Sequence, residues 1–79
     1  FRAFCTWENP LPADGLLRLF DLRGLLQMQM PLGAGSTEAS FDVMSLTPGT
    51  YLVVIEGGQT LLLKPLTVMP PWGLEFGKQ

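Results

Sequence analysis

Apolar and polar residues alternate along much of this chain with a period of two, the signature of strands with one face buried. Residues 1–7 put Phe1, Ala3, Cys5 and Trp7 on one side and Arg2, Phe4 and Thr6 on the other. Residues 16–22 read as a second strand and 25–32 as its partner, with Leu26, Met28, Met30 and Leu32 opposite Gln27 and Gln29. Within residues 39–46, Phe41 and Val43 oppose Ser40, Asp42 and Met44. The strongest signal spans residues 46–63, where the aromatic and β-branched run from Tyr51 to Ile55 precedes two glycines and a second apolar run. Rings and β-branched side chains pack well on a pleated surface, so this stretch is predicted to be the central hairpin. Its second arm extends over residues 60–69. A helix over residues 16–30 competes, because Leu, Arg, Gln and Met are good helix formers. Gly24 in its middle would cost that helix about 1 kcal/mol, and the period over residues 27–30 is two. Strands are the better account.

Turn chemistry supplies the punctuation. Asn9-Pro10, Pro12 and Asp14-Gly15 break the chain over residues 8–15, and two prolines there exclude a central strand. Asp21 opens a turn by accepting backbone N–H groups, and Gly24 closes it in the left-handed region. Residues 33–37 are read as a flexible loop. Pro48 fixes φ for one corner and Gly49 takes the positive φ of the next. Gly57-Gly58 is expected to form a two-residue hairpin turn. Pro65 removes a ladder donor, implying an edge strand or a bulge. Pro70-Pro71-Trp72-Gly73 ends the domain, and 74–79 reads as a tail. Short strands at regular spacing indicate one antiparallel β-sandwich of about five to seven strands. Residues 1–8 form a first or edge strand with a linker, 9–69 the sandwich and 70–79 the tail.

Composition limits the partners. The chain has 79 residues, 47% hydrophobic and 15% charged, which places it among folded rather than disordered sequences. So short a chain buries only about 60% of the surface its unfolded form exposes. The high apolar fraction therefore implies an apolar patch kept for a partner, or a segment joined to something larger. Five basic residues, Arg2, Arg18, Arg23, Lys64 and Lys78, are scattered, and the net charge is −2. That pattern argues against nucleic acid and against a polybasic membrane contact. No apolar run reaches the roughly 20 residues of a membrane-spanning helix. No signal-peptide pattern is visible, and a start at Phe1 suggests a processed product or a piece of a longer protein.

The residues that usually carry chemistry are few. There is no His, and Cys5 is alone, which removes Ser-His and Cys-His arrangements and multi-cysteine metal sites. Cys5 is read as a small buried apolar side chain. Asp14 and Asp21 sit in turn sequences and are expected to satisfy local backbone, while Asp42 and Glu56 face solvent. Gly33-Ala34-Gly35 and Gly57-Gly58 lack the Lys-Ser/Thr and the helix of a phosphate loop. Met28 and Met30 are read as gap-filling core residues. Trp7, Tyr51 and Trp72 are read as packing rather than a sugar-binding face. The expectation is a non-catalytic protein without cofactor or metal.

The order of the motifs resembles the C-terminal sorting domain (type A) of cargo of the Bacteroidota type IX secretion system. Carrying the resemblance are Asn9-Pro10, then Leu17-Arg18-Leu19-Phe20-Asp21-Leu22-Arg23-Gly24, then residues 41–46, then Pro48-Gly49-Thr50-Tyr51 with its β-branched run, and finally Lys64 to Val68. Two features depart from that pattern. Only residues 11–15 separate Pro10 from the next strand, and the chain runs on past Pro70. The resemblance implies an Ig-like β-sandwich that acts as an address for a cargo domain upstream. It implies passage through the periplasm and the outer-membrane translocon to the surface or the medium. Implied partners are a β-barrel shuttle protein and a sortase-like peptidase. Lys64, Pro65, Leu66, Thr67 and Val68 would be the segment the machinery reads; Asn9, Pro10, Asp21, Gly24, Pro48, Gly49 and Tyr51 would shape the turns. The alternative is a structural or adhesive Ig-like module of a cell-surface protein.

Overall fold

The computed structural model describes residues 2–69. Phe1, the 70–73 terminator, Trp72 and the 74–79 tail lie outside the described residues. Six strands follow one another: β1 (Arg2–Thr6), β2 (Gly15–Asp21), β3 (Leu26–Leu32), β4 (Glu38–Asp42), β5 (Gly49–Gly57) and β6 (Thr60–Val68). All pairings are antiparallel. β1 pairs with β4 in a two-stranded sheet, and β3-β2-β5-β6 form a four-stranded sheet in that order. This is the pairing scheme of an Ig-like sandwich, whose B and E strands share one sheet while C′, C, F and G share the other. The first strand of that scheme, which would lie beside β1, is absent among the described residues.

Alternation decides which residues meet between the sheets. Leu17 and Leu19 of β2 are directly opposite Ile55 and Val53 of β5, and all four are fully buried. Phe41 and Ala39 come from β4, Leu32 from β3 and Val68 from β6, and Trp7 and Leu11 from the link after β1. Cys5, Met28 and Met30 pack half-buried against this cluster, as the sequence pattern implies. The competing helix over residues 16–30 is replaced by β2, a turn and β3. Gly24 sits at φ 86° and donates its N–H to the Asp21 carbonyl. That is a type I turn followed by a left-handed residue.

Three expectations need correction. The β5–β6 loop is Gly58-Gln59, because Gly57 pairs with Thr60. Gly58 alone has positive φ (61°), which suits a II′ turn with Gly at its first central position. Gly57 belongs to the strand. Pro48-Gly49 is not the tight turn; that lies earlier, where Leu46 N–H bonds the Val43 carbonyl. Gly49 opens β5 at φ 150°, an extended conformation of the sort only glycine takes readily. Leu26 is half exposed rather than inward, because the β2–β3 register shifts after Leu19 and leaves Gln27 unmatched. A bulge of this kind redirects side chains from that point on.

Residues 33–37 are more than a linker. Trp7 and Leu11 N–H groups bond the Thr37 and Ser36 carbonyls, and Leu11 accepts from Gly35. The Trp7 indole donates to the Ser36 carbonyl at 2.9 Å. Asp14 accepts the Ala34 N–H, so its carboxylate joins two loops instead of capping its own.

Candidate recognition site

Pro65 lies on an edge strand. β6 is outermost in its sheet, as β3 is at the other edge, where Pro31 sits. The II′ turn closes on Gly57–Thr60 as a hydrogen-bonded pair, and such pairs then alternate with non-bonded ones. Ile55–Leu62, Val53–Lys64 and Tyr51–Leu66 are therefore bonded, whereas Leu52–Pro65 and Thr50–Thr67 are not. The backbone groups of residues 61, 63, 65 and 67 thus point away from β5. Proline's missing donor falls on the side where no ladder needs it. Leu61, Leu63 and Thr67 keep outward N–H groups.

The predicted recognition residues divide between two faces. Lys64 and Leu66 turn half-buried toward the second sheet, Val68 is buried, and Pro65 and Thr67 are exposed. Lys64, Pro65 and Leu66 line a groove of about 230 Å3 together with Phe4, Cys5 and Thr6 of β1, and Phe41 and Val53 at its floor. The groove runs between the open edges of the two sheets. Burial raises the Cys5 thiol above its usual value, and the Lys64 ammonium partly opposes this. No ion pair forms at Lys64 among the described residues.

Of the turn residues, five gather at one end of the sandwich. Asp21 pairs with Tyr51 across β2–β5, and the β2–β3 turn faces Pro48 and Gly49 over a shallow cleft. Gly24 belongs to the same turn. The Tyr51 ring is buried while its hydroxyl donates to the Thr47 carbonyl. This is the tyrosine corner of Ig-like sandwiches, which pins the entry to strand F. A Tyr shortly after Pro-Gly was the sequence signal for it. Asn9 and Pro10 are exposed in the link from β1 to β2, away from this end, where neighbouring Leu11 and Pro12 approach Gly57 and Gly58.

Asp21 organises its turn completely. Oδ1 accepts from the Arg23 and Leu25 N–H groups, and Oδ2 from the Arg23 guanidinium and the Gln27 amide. The Leu25 N–H bond is the main cause holding this carboxyl below its usual 3.8, with Arg23 adding to it. A lowered folded-state pKa gives stability that is present above the unfolded value and lost as pH falls through the folded one. The difference in urea midpoint between the native chain and D21N should therefore be largest near neutrality and shrink below pH 3.8. A difference independent of pH would refute the charge's part in the turn.

The outer face of the four-stranded sheet holds the expected apolar patch. Leu61 and Leu63 are 60% and 59% exposed, Leu52 is beside them, and Val54, Leu16 and Phe20 are half-buried. Glu56, expected in solvent, forms an ion pair with Arg18 on this face, near the end of β5. Among the described residues no group of three or more His, Cys, Asp or Glu side chains could hold a metal ion. No helix among the described residues is long and apolar enough to cross a membrane. Comparisons with protein-family models and with curated proteins find no match.

Proposed function

We propose that this chain is a non-catalytic C-terminal sorting module that works by being bound, with β6 as the strand its machinery reads. The observation that carries the reading is the open outer edge of β6, where Lys64 to Val68 lie. An unpaired edge can add a strand from another chain, main-chain bonds giving affinity and side-chain pockets giving selectivity. The proline and the half-buried lysine limit unwanted edge pairing. Type IX export of an upstream cargo to the cell surface is the function that the motif order favours. The shuttle β-barrel and the peptidase are the partners.

The test is export in a Bacteroidota host. The 79 residues are fused behind a periplasm-targeted fluorescent reporter, with and without residues 64–79, and reporter is measured in medium and on cells. Reporter outside the periplasm that disappears on truncation is the expected result. Because truncation also damages the sheet, Thr67→Pro accompanies it, removing one outward donor from the edge. Export lost in T67P with the circular dichroism spectrum unchanged supports edge recognition. Periplasmic retention of the folded, full-length fusion overturns the sorting role. A structural or adhesive module, using the apolar outer face around Leu61 and Leu63, would then be the better reading.

A further inference from the structure

We propose that β1 is a releasable cover, a strand that lifts off β4 while the rest of the sandwich stays folded, with Trp7 as the fixed point at which the opening stops. An imbalance of burial carries the idea. No side chain of β1 is buried: Arg2, Phe4 and Thr6 are exposed, and Ala3 and Cys5 are half-buried. Phe4, the largest apolar side chain of the strand, is 74% exposed. Ordering the five residues of β1 costs conformational entropy, which buried apolar surface normally offsets. Two small, half-buried side chains offset little of it. Among the described residues the one ladder of β1 is with β4. An isolated two-stranded pair is marginally stable in water, so this ladder alone does not hold the strand.

β4 does not share the weakness. Ala39 and Phe41 are buried in the central cluster, which keeps β4 seated when β1 leaves. Ala3 lies opposite Phe41, and Cys5 opposite Ala39. Lifting β1 uncovers one flank of both core residues and frees the β4 backbone groups that the ladder held. The four-stranded sheet loses no ladder, because β1 pairs with none of its strands. The closed state hides an edge of β4 and the open state presents it, and a free edge of this kind is able to add a strand.

The opening has a defined end. Trp7 is buried, its N–H bonds the Thr37 carbonyl and its indole the Ser36 carbonyl, both at 2.9 Å. Leu11, also buried, donates to the Ser36 carbonyl and accepts from Gly35. These bonds tie the link after β1 to residues 33–37 without using β1 itself. From Trp7 onward the chain opens only with the core.

The test is native-state hydrogen exchange on the full 79-residue chain, over a series of urea concentrations below the unfolding transition. The β1 amides held by the β4 ladder should exchange at least about tenfold faster than those of Leu17, Leu19, Val53 and Ile55. Their rates should hardly change with urea, since a local opening exposes little surface. Trp7 and Leu11 amides should follow the core in both rate and urea dependence. I55A should speed exchange in the core and leave β1 within about twofold, because a local opening does not feel global stability. If I55A fails to fold, the urea series on the native chain decides alone. Core-like exchange and urea dependence at β1 would mean that the strand is held as firmly as the core, and overturns the proposal. Fast, urea-independent exchange at Trp7 and Leu11 as well as β1 would remove the fixed point, and overturns it too.

Discussion

Ile55→Ala should lower stability by about 3 kcal/mol, because emptying a fully buried aliphatic site removes transfer energy and leaves a cavity. Ile55 is 0% exposed and lies directly opposite Leu17, in the cluster with Leu19 and Val53 at the centre of the sandwich. The cavity cannot collapse easily, since its walls are paired strands whose spacing the ladders fix. A domain this size has roughly 4–12 kcal/mol in total, so the loss is a large part of it. In thermal melts it corresponds to a fall of roughly 12–24 °C in midpoint. Leu63→Ala is the control. It removes a similar side chain from the partner strand, but one that is 59% exposed, and should stay within about 0.5 kcal/mol. Comparable losses from the two variants would contradict the inward and outward assignment of β5 and β6.

That assignment was not readable in the sequence, since residues 51–55 and 61–63 are apolar throughout, and a strand's period of two marks a shared face only where polarity alternates. The alternation over residues 2–7 and the turn at Asp21–Gly24 both reappear in the fold. What the period cannot carry is the partner of each strand. β1 meets β4 across more than thirty residues, with Arg2 opposite Asp42, and no local signal links them. The groove between β1 and β6 follows from that long-range choice, so Cys5 and Lys64 could not be brought together in advance. Leu11 was hidden for another reason. Flanked by Pro10 and Pro12 it looked like loop, yet it is among the most buried side chains. A loop residue that plugs the end of a sandwich leaves no periodic trace. Lys64 to Val68 were read as one linear segment, whereas pleating sends them to different faces, and only the outer edge unites their backbones.

Gly15→Ala should be at least as damaging as the core variant, at about 3 kcal/mol or more, although it adds only one methyl group. Gly15 and Gly57 are opposite each other where β2 begins and β5 ends. A Cβ on Gly15 would lie 1.7 Å from the Glu56 carbonyl oxygen and 2.8 Å from the Gly57 Cα. Both obstacles are backbone, so no side-chain rotation relieves the overlap. The β2–β5 ladder must open, and overpacking against backbone exceeds the usual cost of about 1–3 kcal/mol. A Cβ on Gly57 meets the Ala13 carbonyl at 2.9 Å and the Leu11 methyl groups at 3.2 Å. Gly57→Ala should therefore be milder, displacing the Leu11 plug rather than the ladder. The two variants separate this account from the one in which Gly57 is merely a turn residue. If Gly57 served only the turn, G57A would leave the Leu11 environment unchanged, and G15A would behave like any other strand substitution. Urea titrations of both, with the Leu11 methyl resonances followed by NMR, decide the matter. A G15A midpoint within experimental error of the native chain would mean that the first residue of β2 does not approach β5 as closely as these distances require.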